Sequence, residues 1–210
     1  MPIIASNNGG TSYEPIASGS YAARCYSMIH IGTIEETILG TTKKLNKVRI
    51  TWELPTELKV FKEENGEQPQ VISKEFTLSL HEKATLRNFL KNWRGKDFTD
   101  EEAKAFDIEK LVGAPCMINI THKLSKDQSK TYAEIGSISP MPKGMTCPNQ
   151  INPSFVWTYE DFDLNKFNSL PDYIRNKMIN SDEFKLAVTN GQEHESHETP
   201  ASQIDDDLPF

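Results

Sequence analysis

Several groups of residues in this chain have the right types for chemistry, and most of them fail on spacing. HEKAT at 81–85 opens like the HExxH zinc helix, with an imidazole at His81 and a carboxylate at Glu82. Thr85 stands where the second imidazole has to be, so the i, i+4 pair of nitrogens that zinc needs is missing. LGTTKK at 39–44 contains the Gly, Thr and Lys of a phosphate cradle without the GxxxxGK spacing, and it reads instead as a flexible basic loop. Glu160, Asp161 and Asp163 in EDFD have the composition of a metal cluster, but solvated or helix-capping acids account for them more simply. There is no GxSxG, and Cys25, Cys116 and Cys147 lack the local signature of an activated nucleophile. Three widely spaced cysteines suit buried thiols in a reducing compartment better than a disulfide frame or a zinc site. The expectation is a non-enzymatic chain with no cofactor and no metal; a dispersed carboxylate site is the enzymatic alternative.

The group whose chemistry survives this test is the C-terminal run SQIDDDLPF. The net charge of −7 is unevenly placed: residues 1–145 hold 19 Lys and Arg against 18 Asp and Glu, a balance of +1, while residues 146–210 hold 4 against 12, a balance of −8. From Gln192 onward there are six acids and no Lys or Arg. Such a composition buries too little apolar surface to offset the entropy of ordering, so 191–210 reads as a disordered acidic arm. An acidic solubilising tail would explain Asp205, Asp206 and Asp207, but not a terminal aromatic. A docking peptide explains both. Phe210 would fill an apolar pocket with its carboxylate on a basic side chain, Pro209, next to Leu208 of the same partner-binding tip, would limit free-state entropy, and the aspartates would meet a basic rim.

Elements must carry these groups, and the hydrophobic spacing supplies them. SYAARCYSMIHIGTI (20–34) is rich in strand formers, with Tyr21, Ala23, Cys25, Ser27, Ile29 and Ile31 on one face and Arg24, Tyr26, Met28 and His30 on the other. LNKVRITWEL (45–54) puts Val48, Ile50, Trp52 and Leu54 inward and Lys47, Arg49, Thr51 and Glu53 outward, with Pro55 as its stop. VISKEFTLSL (71–80) gives a third strand with Phe76, Leu78 and Leu80 on its apolar face. The period then lengthens. Leu86, Phe89, Leu90 and Trp93 share a helical face closed by Gly95, and Thr99 with Glu102 forms a capping box for a second helix through about Leu111. PCMINITHKL (115–124) and KTYAEIGSIS (130–139) follow as two strands around the polar turn SKDQS. Three strands, a helical insert and two strands is the order of the five-stranded oligonucleotide- and oligosaccharide-binding barrel. The predicted class is therefore mainly β, an OB-fold-like barrel over 19–145. It is flanked by a flexible arm at 1–18, a helical extension over 146–190 ending near Val188, and the acidic tail. No apolar run approaches the roughly 20 residues of a spanning helix, and MPIIASNNGG lacks signal-peptide features, so a cytoplasmic protein without a membrane partner is expected.

IDDDLPF resembles the C-terminal tip of bacterial single-stranded-DNA-binding proteins, over about the last seven residues. VISKEFTLSLHEKATLRNFLKNWRGKDF is similar to small phage proteins found among replication genes. The resemblance implies a phage-type single-strand binder in a bacterial or phage-infected cell, one that recruits replication, recombination or repair proteins through its tip. Such binding needs cations for phosphates and aromatic faces for bases, each stacked base being worth roughly 1–3 kcal/mol. The candidates are Arg24 and Tyr26 on the first strand, and Lys43, Lys44, Lys47 and Arg49 around the first turn. Lys123, Lys126, Lys130 and Tyr132 around the last hairpin complete the set. Phe61 is a further stacker if the acidic insertion at 55–70 folds over the groove, whereas Trp52 and Trp93 read as core. The alternatives are an adaptor that docks a host protein without touching DNA, and an accessory enzyme of replication or recombination. The tail is also expected to fold back on the basic groove when DNA is absent.

Overall fold

The computed structural model describes residues 14–195, and side chains as far as residue 189. The chain is mainly β. Strands β1 (Gly19–Ile38) and β2 (Thr41–Val60) form a hairpin of two 20-residue strands. Leu39 and Gly40, both at positive φ (+50° and +79°), make its two-residue turn. Positive φ at both positions is the geometry whose twist matches that of paired strands. LGTTKK is therefore a tight turn that leads straight into a strand, not a flexible loop. Nor does Pro55 end β2, because β3 (Glu67–Thr77) supplies a partner and the two strands extend into a second hairpin with a 3-10 turn at Glu63–Asn65. The 55–70 insertion is this hairpin, and Phe61 lies near its end.

Strands β4 (Pro115–Leu124) and β5 (Thr131–Ser139) complete the sheet order β3-β2-β1-β4-β5, and a short β6 (Phe155–Trp157) pairs with β1. The β1–β4 and β4–β5 pairs are antiparallel, with a register shift between Asn119 and Ile120. Contacts divide the chain into two compact units. One takes the described residues up to Ile29 together with Val48–Val156; the other takes His30–Lys47 and the chain from Trp157.

The first unit is built on the alternation read in β2: Val48, Ile50, Trp52 and Leu54 are all buried in one core with Ala23, Cys25, Ile118 and Ile120. Helix α1 (Thr85–Arg94) adds Leu86, Phe89, Leu90 and Trp93 to that core and packs against β3 and β5. The rings of Phe89 and Trp93 lie 5.5 and 5.6 Å from that of Trp52, and each large side chain so buried contributes roughly 1.5–3 kcal/mol. Gly95 closes α1 in the left-handed conformation, and Thr99 and Glu102 form the expected capping box on α2 (Asp100–Lys104). That helix stops at Lys104, and a separate 3-10 turn at Ile108–Leu111, capped by Asp107, covers the rest of the expected span. One inward assignment also changes. Leu78 lies beyond the end of β3 and is exposed, while Lys74 takes the inward position between Ile72 and Phe76. Its ammonium lies 5.5 Å from the Phe89 ring centre and donates to the Ile135 carbonyl of β5 at 3.3 Å. The arm expected at 1–18 is anchored at its C-terminal end: Ile16 is in the core, and its carbonyl bonds His122 Nε2 at 2.8 Å.

In the second unit, His30–Lys47 forms a two-stranded ribbon with α3 (Leu164–Ser169), α4 (Asp172–Ile179) and α5 (Asp182–Glu195). Ile174 and Met178 are the buried face of α4, whereas Tyr173 and Ile179 are exposed. Trp157, Phe162, Phe167 and Phe184 stack into one aromatic cluster. Glu183 accepts hydrogen bonds from Thr33 N at 2.6 Å and Thr33 Oγ1 at 2.7 Å, which holds α5 on the ribbon. Gly32 makes that approach possible: a Cβ there would sit 2.7 Å from Glu183 Oε2 and 2.8 Å from Ser181 Cβ. The helical extension runs past Val188 to Glu195. Among the described residues no helix is long and apolar enough to cross a membrane.

Candidate nucleic-acid interface

Four of the ten candidate DNA-binding residues meet on the β4–β5 hairpin. Ile120 pairs with Ile135 on its inward face, so alternation sends Lys123 and its direct partner Tyr132 outward. Tyr132 is 53% exposed. The turn that joins the strands is rigidified from within. Ser125 N donates to the Lys130 carbonyl at 2.8 Å, and Lys130 N donates to Ser125 Oγ at 3.0 Å. Asp127 accepts from the Ser125 hydroxyl, from Ser129 Oγ at 2.8 Å and from Ser129 N at 3.2 Å. The Ser125 hydroxyl first, then the two Ser129 donors, hold the Asp127 carboxyl down at about 2. Its charge is thus engaged by the turn itself. Lys126 and Lys130 are exposed on either side of it. Lys123 reaches Glu134 only at 3.9 Å in a solvent-exposed pair, which is worth little.

The other six candidates are differently placed. Arg24 is a structural donor: Nε bonds the Pro148 carbonyl at 2.6 Å, Nη1 the Gly113 carbonyl at 2.8 Å and Nη2 the Cys147 carbonyl at 3.1 Å. Tyr26 is half-buried on the same strand. Arg49 pairs with Glu75 across β2 and β3 at 3.1 Å, with each side chain 19% exposed. Lys43, Lys44 and Lys47 belong to the ribbon of the second unit. Lys47 is largely buried against Glu36 at 2.9 Å, and Lys44 bonds Asp182 at 2.8 Å, a hydrogen bond that raises the lysine pKa and lowers that of the aspartate. Lys43 is exposed. Most of the strand cations therefore face acids or carbonyls that a linear reading treats as solvent-facing.

Glu53 was expected on the outer face of β2 and is on that face, but it is 0% exposed. Its carboxylate accepts from Ile151 N at 2.6 Å, Asn152 N at 2.9 Å and Asn152 Nδ2 at 2.8 Å. With Arg24 holding the carbonyls of Cys147 and Pro148, the segment 147–152 is strapped across the outside of β1 and β2. Beside it, Thr51 is buried and its hydroxyl bonds Ser73 Oγ at 2.9 Å. No local signal marks Glu53 as a clasp, because its ligands lie nearly a hundred positions downstream. The inward turn of Lys74, in contrast, was visible in its parity with Ile72 and Phe76.

The remaining chemical candidates resolve into structural roles. His81 and Glu82 precede α1 and do not share a helical turn with Thr85. Asp163 caps α3, accepting from Asn165 N at 2.8 Å and Lys166 N at 3.0 Å. No group of three or more His, Cys, Asp or Glu among the described residues is arranged to hold a metal. Burial raises the Cys25 thiol pKa to about 12 and also raises those of Cys116 and Cys147, so all three are protonated at neutral pH. The docking tip, Asp205, Asp206, Asp207, Leu208, Pro209 and Phe210, lies outside the described residues. No protein-family model, curated protein or solved structure matches this chain.

Proposed function

We propose that this protein is a non-catalytic binder of single-stranded DNA, acting in a bacterial or phage-infected cytoplasm. It grips unpaired strands through a barrel-like β domain and recruits replication, recombination or repair proteins through its acidic tip, Asp205–Phe210. The strand order supports the barrel. The oligonucleotide-binding barrel has five strands in a partly open Greek key, with a helix between strands 3 and 4; the sheet described here is not closed, with β3 and β5 at its two ends. Here β1 pairs with β2 and β4, α1 follows β3 and packs against β3 and β5, and Lys74 of β3 bonds a β5 carbonyl. The observation that carries the binding reading is the β4–β5 hairpin, where Lys123, Lys126, Lys130 and Tyr132 are exposed together in a pattern that suits phosphates and one stacked base.

The tip sequence by itself equally suits an adaptor that docks a partner and leaves DNA alone. A gel-shift series with single-stranded, duplex and RNA oligomers at two salt concentrations separates the two readings. A DNA binder shifts the single strand at low salt and releases it as salt rises; an adaptor shifts none of the three. Removing residues 202–210 is expected to preserve or tighten DNA binding, most at low salt, and to abolish partner capture. Weaker DNA binding by the truncated chain would rule out an autoinhibitory tail.

A further inference from the structure

We propose that the single strand crosses the β4–β5 hairpin and bypasses the outer face of β1 to β3. This rests on the DNA-binding reading and assigns its route. The outer face of β1 and β2 is already occupied by the chain's own 147–152 segment, fixed from one side by Arg24 and from the other by Glu53. The strap uses the side-chain groups that a nucleic acid would need. All three nitrogens of the Arg24 guanidinium are committed to carbonyls, and the Glu53 carboxylate that remains would repel phosphate if it were uncovered. Further along the same face, Arg49 is paired with Glu75 and Thr51 with Ser73. A buried carboxylate with three good donors is an expensive arrangement to open, so the strap is a fixed cover and not a gate. Among the described residues on the sheet of this unit, the hairpin is where exposed lysines gather: Lys123 has its nearest acid, Glu134, only at 3.9 Å, and the one turn acid is internally engaged.

The test compares two variants of the full-length chain, Lys123→Ala/Lys126→Ala/Lys130→Ala and Arg49→Gln/Glu75→Gln, in binding to oligo(dT) between low and moderate salt. On a single strand each phosphate contact contributes about 0.7 to the slope of log K against log salt. The hairpin variant is expected to lose about 2 from that slope, and the Arg49/Glu75 variant to keep the parent value. Tyr132→Ala is expected to weaken binding roughly 5- to 150-fold, the equivalent of one stacked base. A readout independent of the variants is photo-cross-linking of a 4-thiothymidine oligomer to the parent, with the cross-link expected within residues 119–137. A slope unchanged in the hairpin variant but lowered in the Arg49/Glu75 variant, or a cross-link confined to 49–75, overturns the route while leaving DNA binding intact. Failure of the parent to bind oligo(dT) removes the functional reading itself, and the route with it.

Discussion

At the scale of single residues, two buried contacts decide how the chain can use its surface. Glu53 gathers three donors from the 147–152 segment. Replacing it with Ala leaves those donors without a partner and is expected to cost roughly 2–4 kcal/mol, measured as a lowered urea midpoint with an unchanged m-value. A loss below about 0.5 kcal/mol would mean that the strap is not held by this carboxylate. Gly32, at φ +91°, meets Ser181 and Glu183 where any side chain would collide. Gly32→Ala is expected to cost roughly 2 kcal/mol or more, and limited proteolysis should show the loss as faster cleavage within α5. These two residues also mark the limit of sequence reasoning. Trp52 was readable as core because it alternates with Val48, Ile50 and Leu54, and the helical face of Leu86, Phe89, Leu90 and Trp93 declared itself by spacing. Glu53 sits at an equally regular position but on the solvent parity, and what buries it comes from a distant irregular segment that no local periodicity reports.

At the scale of elements, the ribbon and α5 are linked through carboxylates, which makes their association sensitive to acid. Burial pushes the Glu183 carboxyl upward, and the Thr33 N–H and hydroxyl, with His30 nearby, outweigh it and hold the group below its ordinary value. A depressed folded pKa contributes stability that is fully present above the unfolded value of about 4.3 and is lost as pH falls through the folded one. Asp182, held down by its hydrogen bond to Lys44, acts in the same direction. The melting temperature of Glu183→Gln should therefore lie well below that of the parent at pH 6, and the gap should narrow toward pH 3. A gap that stays constant across this range would show that the carboxylate charge is not what holds α5. The linear reading placed strands at 20–34 and 45–54, which reach only the base of this ribbon, and took 39–44 for a loop, whereas β1 runs to Ile38 and β2 starts at Thr41. Leu in a left-handed conformation is an unusual turn residue, and nothing short of the paired 20-residue strands enforces it.

At the scale of the whole molecule, charge is sorted along the chain. The first 145 residues are nearly neutral, and the remainder carries the acidity, ending in three aspartates before Leu208, Pro209 and Phe210. Within the near-neutral part, Glu75 pairs with Arg49 and carbonyls hold Arg24, while Lys123, Lys126 and Lys130 stand exposed on one hairpin. On the proposed single-strand-binding reading, the grip would rest on few phosphate contacts and so on low to moderate salt. The most direct measurement is the equilibrium binding of the full-length chain to oligo(dT) at a series of salt concentrations. The account predicts saturable binding at low salt, with a log–log slope of about −2 or steeper. Absence of binding in dilute buffer, or binding indifferent to salt, would contradict it.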